Sequence, residues 1–113
     1  MTPFRCLVTV LAVAVAALPG GQAAGKTPVA AKIHVIVIDA MRFGAPPAGL
    51  RVGDTIEWVN RDLFDHTATA RDKSFNVILP SNTKRRMVLR RAGSFAFYCI
   101  YHPGMRGRLV VRQ

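Results

Sequence analysis

From residue 32 onward, apolar positions come in short runs, and Gly, Pro, Asp and Asn separate the runs. Residues 32–39 (KIHVIVID) are β-branched and nearly all apolar, which predicts a strand buried on much of its surface. Residues 43–49 (FGAPPAG) read as a loop or an edge segment, because Pro46 and Pro47 have no amide proton for a sheet ladder. A short strand at 50–52 and a turn at Gly53-Asp54 follow. Residues 55–60 (TIEWVN) alternate, with Ile56 and Trp58 on one face. Residues 61–65 read as a polar loop, 66–70 (HTATA) as a strand, and 74–79 as a short strand or irregular segment ending at Pro80. A strand is expected at 83–91 with Met87 and Leu89 inward, then a turn at Ala92-Gly93. Strands at 94–99 (SFAFYC) and 107–112 (GRLVVR) complete the chain. No helical period persists beyond two turns, and there are no internal repeats. The expected fold is all-β: a Greek-key β-sandwich or small barrel of about seven to eight strands.

The N-terminus follows different rules. Arg5 precedes an apolar run from Leu7 to Leu18, which Pro19 and two glycines break before small residues follow. That order is the pattern of a secretory signal peptide. The run falls short of the roughly 20 apolar residues a spanning helix needs. The expected division is a signal peptide at 1–24, with cleavage within 23–25, and one domain at 25–113. No integral membrane segment then remains after cleavage, and the protein works in the periplasm or is otherwise secreted. Cys6 leaves with the signal, so Cys99 is the one thiol kept, in an oxidising compartment. A lone thiol there needs burial or a ligand to survive.

Charge narrows the partners. The chain of 113 residues carries 16 Lys plus Arg against 6 Asp plus Glu, a formal +10. Only Arg5 leaves with the signal, so the basic character belongs to the domain. Such a balance suits nucleic acid, an anionic surface or an acidic protein. Secretion and the lack of an aromatic-basic stacking motif argue against nucleic acid, and none is expected as a partner. Lys84-Arg85-Arg86 and Arg90-Arg91 are the densest basic stretch, either a solvated strand face or a docking patch for an acidic redox protein.

The chemistry is concentrated at one strand end. Period-two alternation puts Phe95, Phe97 and Cys99 on the core face, with Cys99 last before a tight loop. His102 and Met105 lie three and six positions beyond it, with Pro103-Gly104 between them. A thiolate, an imidazole and a thioether are therefore crowded together. Soft sulfur ligands favour copper, and Cys with His in plane plus a weak axial Met is the electron-transfer copper arrangement. A second His is needed, and His66, at a loop–strand junction, is available. His34 lies inside the first strand and is read as a strand histidine. Zinc is possible with such donors, but it gains little from Met.

These residues carry a resemblance. Gly53-Asp54-Thr55-Ile56-Glu57-Trp58-Val59-Asn60, Asp65-His66-Thr67, the 92–99 stretch ending in Phe97-Tyr98-Cys99, and His102-Pro103-Gly104-Met105-Arg106-Gly107 resemble the cupredoxins, small blue copper proteins of the plastocyanin/azurin family. The short Cys99-to-Met105 loop looks most like that of amicyanins. The resemblance implies a cupredoxin fold, one copper ion per chain, and His66, Cys99, His102 and Met105 as metal ligands. It implies a soluble one-electron carrier and no enzymatic activity, with His102 as the electron port and Tyr101, Pro103 and Gly104 as its rim. A monomer is expected, with acidic redox proteins as donor and acceptor. A copper-handling protein for delivery or tolerance would use the same ligands, and a basic module for anionic surfaces with a vestigial metal site is a third reading. There is one departure: many family members have Asn directly after the first His, where this chain has Thr67. Its hydroxyl offers a group that could make a similar bond between the ligand loops, and its effect on the site is left open.

Overall fold

The computed structural model describes residues 3, 9–18, 20–21 and 29–113. The expected cleavage window at 23–25 lies outside the described residues, as does much of the expected signal peptide; its described stretch 9–18 has no regular secondary structure. Among the described residues no helix is long and apolar enough to cross a membrane.

Among the described residues nine strands form two sheets. They are β1 (Ile33–Asp39), β2 (Arg42–Phe43), β3 (Leu50–Arg51), β4 (Thr55–Asn60), β5 (His66–Ala70), β6 (Asn76–Leu79), β7 (Lys84–Val88), β8 (Gly93–Tyr98) and β9 (Arg106–Arg112). One sheet runs β2-β1-β4-β7 and the other β3-β9-β8-β5-β6. The pairs β1–β4 and β3–β9 are parallel; the others are antiparallel. The strand expected at 83–91 ends at Val88. Leu89 instead exchanges backbone hydrogen bonds with the 53–54 turn, while its side chain stays buried as expected. The ninth strand, beyond the seven or eight expected, is the two-residue β2. It pairs with β1 across Ala40 and Met41, both with positive φ, at 50° and 60°. Two left-handed residues match the twist of a two-residue hairpin, but the usual Asn or Gly is absent, so nothing in the sequence signalled it.

Alternation fills the space between the sheets. Ile36 and Ile38 of β1 and Ile56 and Trp58 of β4 face Phe97, Leu109 and Val111 of the other sheet, all buried. Trp58 packs among the rings of Phe43, Phe75 and Phe97, edge-on to Phe97 at 5.2 Å between centroids. Its indole nitrogen has no hydrogen-bond partner among the described residues. Gly107 lies opposite Phe97 in the β8–β9 ladder, and a Cβ there would meet the Phe97 ring at 2.5 Å. Only glycine lets that ring lie flat over the neighbouring strand. At one end of the sandwich Asp54, buried, accepts the amides of Lys32 and Arg51 and the Nε2 of His34 at 2.8 Å. His34 is the strand histidine expected, and its partner is a turn carboxylate.

Candidate metal centre

At the opposite end, β5 begins with His66 and β8 is followed directly by Cys99. The strands are adjacent in the second sheet, so a residue from each faces the other across the sheet end. Cys99 Sγ lies 3.8 Å from Nδ1 of His66 and 3.9 Å from Nδ1 of His102. The three donor atoms all lie within 4.8 Å of one another. These spacings are too long for strong hydrogen bonds. Bonds of about 2.0 Å to nitrogen and 2.3 Å to sulfur, the lengths zinc takes, would put N and S roughly 3.7 Å apart at a trigonal angle. The site thus has the spacing of donors that share one ion.

The proton on His66 is positioned to leave Nδ1 free. His66 Nε2 lies 2.7 Å from Asp62 Oδ2. With the Nε2 proton donated to that carboxylate, Nδ1 offers its lone pair toward Cys99. Burial works against ionisation of Asp62, yet the hydrogen bonds from His66 and from the amides of Met41 and Ala40 outweigh it, holding its carboxyl below the usual value. The Met41 amide belongs to the left-handed β1–β2 turn, so that turn and the histidine share one anion. Sequence reading placed Asp62 in a polar loop and missed this role; a carboxylate four residues before a candidate ligand was the only signal.

The ligand loop is closed by its own backbone. The Cys99 amide donates to the Met105 carbonyl at 3.0 Å, and the Met105 amide donates to the His102 carbonyl at 2.8 Å. Met105 is thereby carried back under Cys99 and is buried, whereas His102 is half-buried. Thr67 fastens the loop to β5. Its amide points at Cys99 Sγ at 3.4 Å, and its hydroxyl accepts the Ile100 amide at 2.9 Å. The Thr67 hydroxyl therefore does make a bond between the two ligand loops.

The 61–65 loop is not simply polar. Asn60, buried at the end of β4, donates to the carbonyls of Phe64 and Leu79 and accepts the Asp62 amide. This hub holds the loop so that Leu63 and Phe64 project outward, 91% and 58% exposed. The Phe64 ring lies 6.2 Å from that of His102, and both line a shallow depression with Leu63 and Tyr101. Tyr101 was expected at this rim; Leu63 and Phe64 were not.

No family model matches the chain. It is 26% identical over 83 residues to the amicyanin of Paracoccus versutus, matching 68% of this chain and 63% of the relative, so it spans less than two thirds of that protein. It is 26% identical over 102 residues to the amicyanin of Paracoccus denitrificans, matching 85% of this chain and 78% of the relative. The structure of a reduced amicyanin variant superposes with a TM-score of 0.63 at 26% identity, over 74% of this chain and 85% of the other. A Cu(I) amicyanin variant gives 0.63 at 28% identity, with the same coverage. The chain is similar to amicyanins in sequence and in fold, and the two-sheet architecture is that of a cupredoxin. Within that fold, two loops 33 residues apart in the chain meet at Thr67, and sulfur with paired imidazoles makes a donor set suited to copper.

Proposed function

We propose that the chain is a one-electron carrier that holds a single copper ion between His66, Cys99, His102 and Met105 and works outside the cytoplasm. The reading rests on the convergence of Cys99 Sγ with Nδ1 of both histidines. A copper ion bound there supplies a couple between +1 and +2. The chain's own residues do the rest. Asp62 keeps the proton of His66 on Nε2, so the ring presents one fixed nitrogen. The Thr67 amide, aimed at the thiolate, withdraws density from sulfur. Burial of His66, Cys99 and Met105 excludes water from three of the four donors. His102 alone reaches the surface, where Leu63, Phe64 and Tyr101 frame its edge as an electron port.

Such a rim suits the small interfaces of transient redox complexes. The formal charge of +10, little changed by loss of the signal segment, would steer acidic donor and acceptor proteins toward a monomeric carrier. Two fully buried ligands and a loop tied by three backbone amides favour retention of the ion over its delivery.

Adding Cu(II) to purified protein should produce an intense visible band from thiolate-to-copper charge transfer. Ascorbate should bleach it, air should restore it, and Cys99→Ser should lack it. A colourless wild-type complex would overturn the carrier reading. Copper lost to a protein acceptor during one redox cycle would favour delivery. Secretion is checked separately by the mass of the protein from the periplasmic fraction, expected to correspond to a chain beginning within 24–26.

A further inference from the structure

At the end of the sandwich remote from the metal, a cleft of about 450 Å³ opens beside β7, the edge strand of the first sheet. Phe75, Met87, Leu89 and Phe95 form its floor, and all four pack on the hydrophobic core. Its volume lies in the usual range of small-molecule sites, and its lining is apolar with few polar groups. Arginines make the rim. Arg86 pairs with Glu57 at 2.7 Å and Arg91 with Asp72 at 3.4 Å, with the Arg91 guanidinium 5.5 Å from the Phe95 ring centroid. Arg90 is exposed and makes no hydrogen bond or ion pair among the described residues. It lines the cleft as an uncommitted cation.

The surroundings add charge of the same sign. Leu89 is tied by backbone bonds to the 53–54 turn, which brings Lys32, Arg51 and Arg112 to the same end. Of the acidic groups there, Asp54 is buried and already accepts His34 and two amides. Among the described residues Glu57 and Asp72 offset two of these cations, Arg86 and Arg91, and leave Arg90 without an acidic partner. A basic rim over an apolar floor matches a ligand that carries an anionic head on an apolar body, because each part alone would leave the other half of the site unmatched.

The geometry points to this cleft as a binding site for a small amphiphilic anion, an organic carboxylate, sulfonate or phosphate whose head meets Arg90 and whose body lies on Phe75 and Phe95. The floor is recessed, so a chain-like or flat aromatic body reaches it and a broad protein face does not. Six strand residues, about 20 Å at ~3.3 Å each, separate Gly93 at the cleft end of β8 from Cys99. Occupancy therefore leaves the metal site unperturbed, and the assignment does not rest on the proposed redox role.

Decanoate, below its micelle-forming concentration, is the probe. It is titrated into isotope-labelled full-length protein in reducing buffer, with and without Cu(I), and followed in proton–nitrogen correlation spectra. Saturable shifts are expected at Phe75, at residues 89–95 and at the Arg90 side chain, with His102 and Tyr101 unmoved. Acetate, which has the charge without the body, should give no saturation. Arg90→Glu should weaken decanoate about tenfold or more, since it replaces a charge-assisted pair with a repulsion. Arg90 is exposed, and its replacement leaves the fold intact. Equal affinity in Arg90→Glu, saturation by acetate, or binding at Leu63 and Phe64 instead would each overturn the assignment. So would a peptide of alternating Glu and Leu that saturates the same signals more tightly than decanoate, which would make the cleft a protein-docking groove.

Discussion

Replacing Thr67 with Val tests how the ligand loop is held. The Thr67 hydroxyl lies 2.9 Å from that of Thr69, which in turn lies 2.8 Å from Asn76 Oδ1. Each hydroxyl has one proton. The Asn76 oxygen only accepts, so the Thr69 proton goes there, and Thr67 donates to Thr69. Thr67 then has its lone pairs free for the Ile100 amide. Val keeps the shape and removes this acceptor. The Ile100 amide is left without a partner in a part-buried position, which costs about 1–3 kcal/mol. Thr69 and Asn76 are more exposed, so water replaces their lost partner. For a domain of this size that is a fall of roughly 5–20 °C in Tm. Thr67→Ser retains the hydroxyl and loses one methyl, about 1 kcal/mol. The assay is thermal unfolding by circular dichroism of the three proteins side by side. In all of them the Thr67 backbone amide still faces Cys99 Sγ, so copper colour should persist. If Thr67→Val unfolds with or above Thr67→Ser, the hydroxyl does not hold the loop and the reasoning fails.

Other expectations follow from the same geometry. Hydrogen bonds from the Lys32 amide and His34 hold the Asp54 carboxyl below its ordinary 3.8, against the pull of burial. Its stabilisation is therefore complete above pH ~3.8 and lost as pH falls through the lower folded value, so denaturant midpoints of wild type should drop more steeply below that pH than those of Asp54→Asn; parallel curves would refute it. Trp58→Phe removes an indole nitrogen that already lacks a partner, so its cost should be about 0–2 kcal/mol, well under the roughly 3–5 of Trp58→Ala, as chemical denaturation will show. Gly107→Ala forces the buried Phe97 ring to move and should cost about 1–3 kcal/mol by the same measurement. Met105→Leu should keep copper and raise the reduction potential, because a bound oxidised ion would lose a weak donor, whereas His66→Ala should abolish the visible band; equal effects in voltammetry and absorption would mean that Met105 is not the weak donor of the set.

Much of the strand order was readable because both sheets bury one face, so period-two alternation marks it. The run TIEWVN is β4 residue for residue, and HTATA is β5. The expected ligands sit at strand ends, where a Cys closing an apolar alternation and a His opening a strand stand out against their surroundings. What was not readable depends on contacts across the fold. Asp62 is one acidic residue in a loop until β1–β2 and β5 bring Met41 and His66 to it. Leu63 and Phe64 look like part of a polar segment until Asn60 fixes the loop from beneath. The hairpin at Ala40 and Met41 uses residues that do not favour left-handed backbone, and tertiary hydrogen bonds hold it there.

The ties around the site bear on its function through one physical requirement. A carrier exchanges electrons fast only when its ligands move little between oxidation states, so their positions must be set by the protein. Cys99 is fixed by its own amide on Met105, by the Thr67 amide on its sulfur, and by the Ile100 amide on the Thr67 hydroxyl. His66 is fixed by Asp62, which the β1–β2 turn anchors in its turn. Every one of these bonds joins protein to protein, so the protein itself sets the positions of the donors. Among the described residues His102 has no carboxylate partner like Asp62, and its ring packs on those of Phe64 and His66 with Cys99 Sγ 3.9 Å from its Nδ1. The least restrained ligand is thus the one that reaches solvent. Restraint falls from the buried pair toward the surface, in the direction along which an electron would leave.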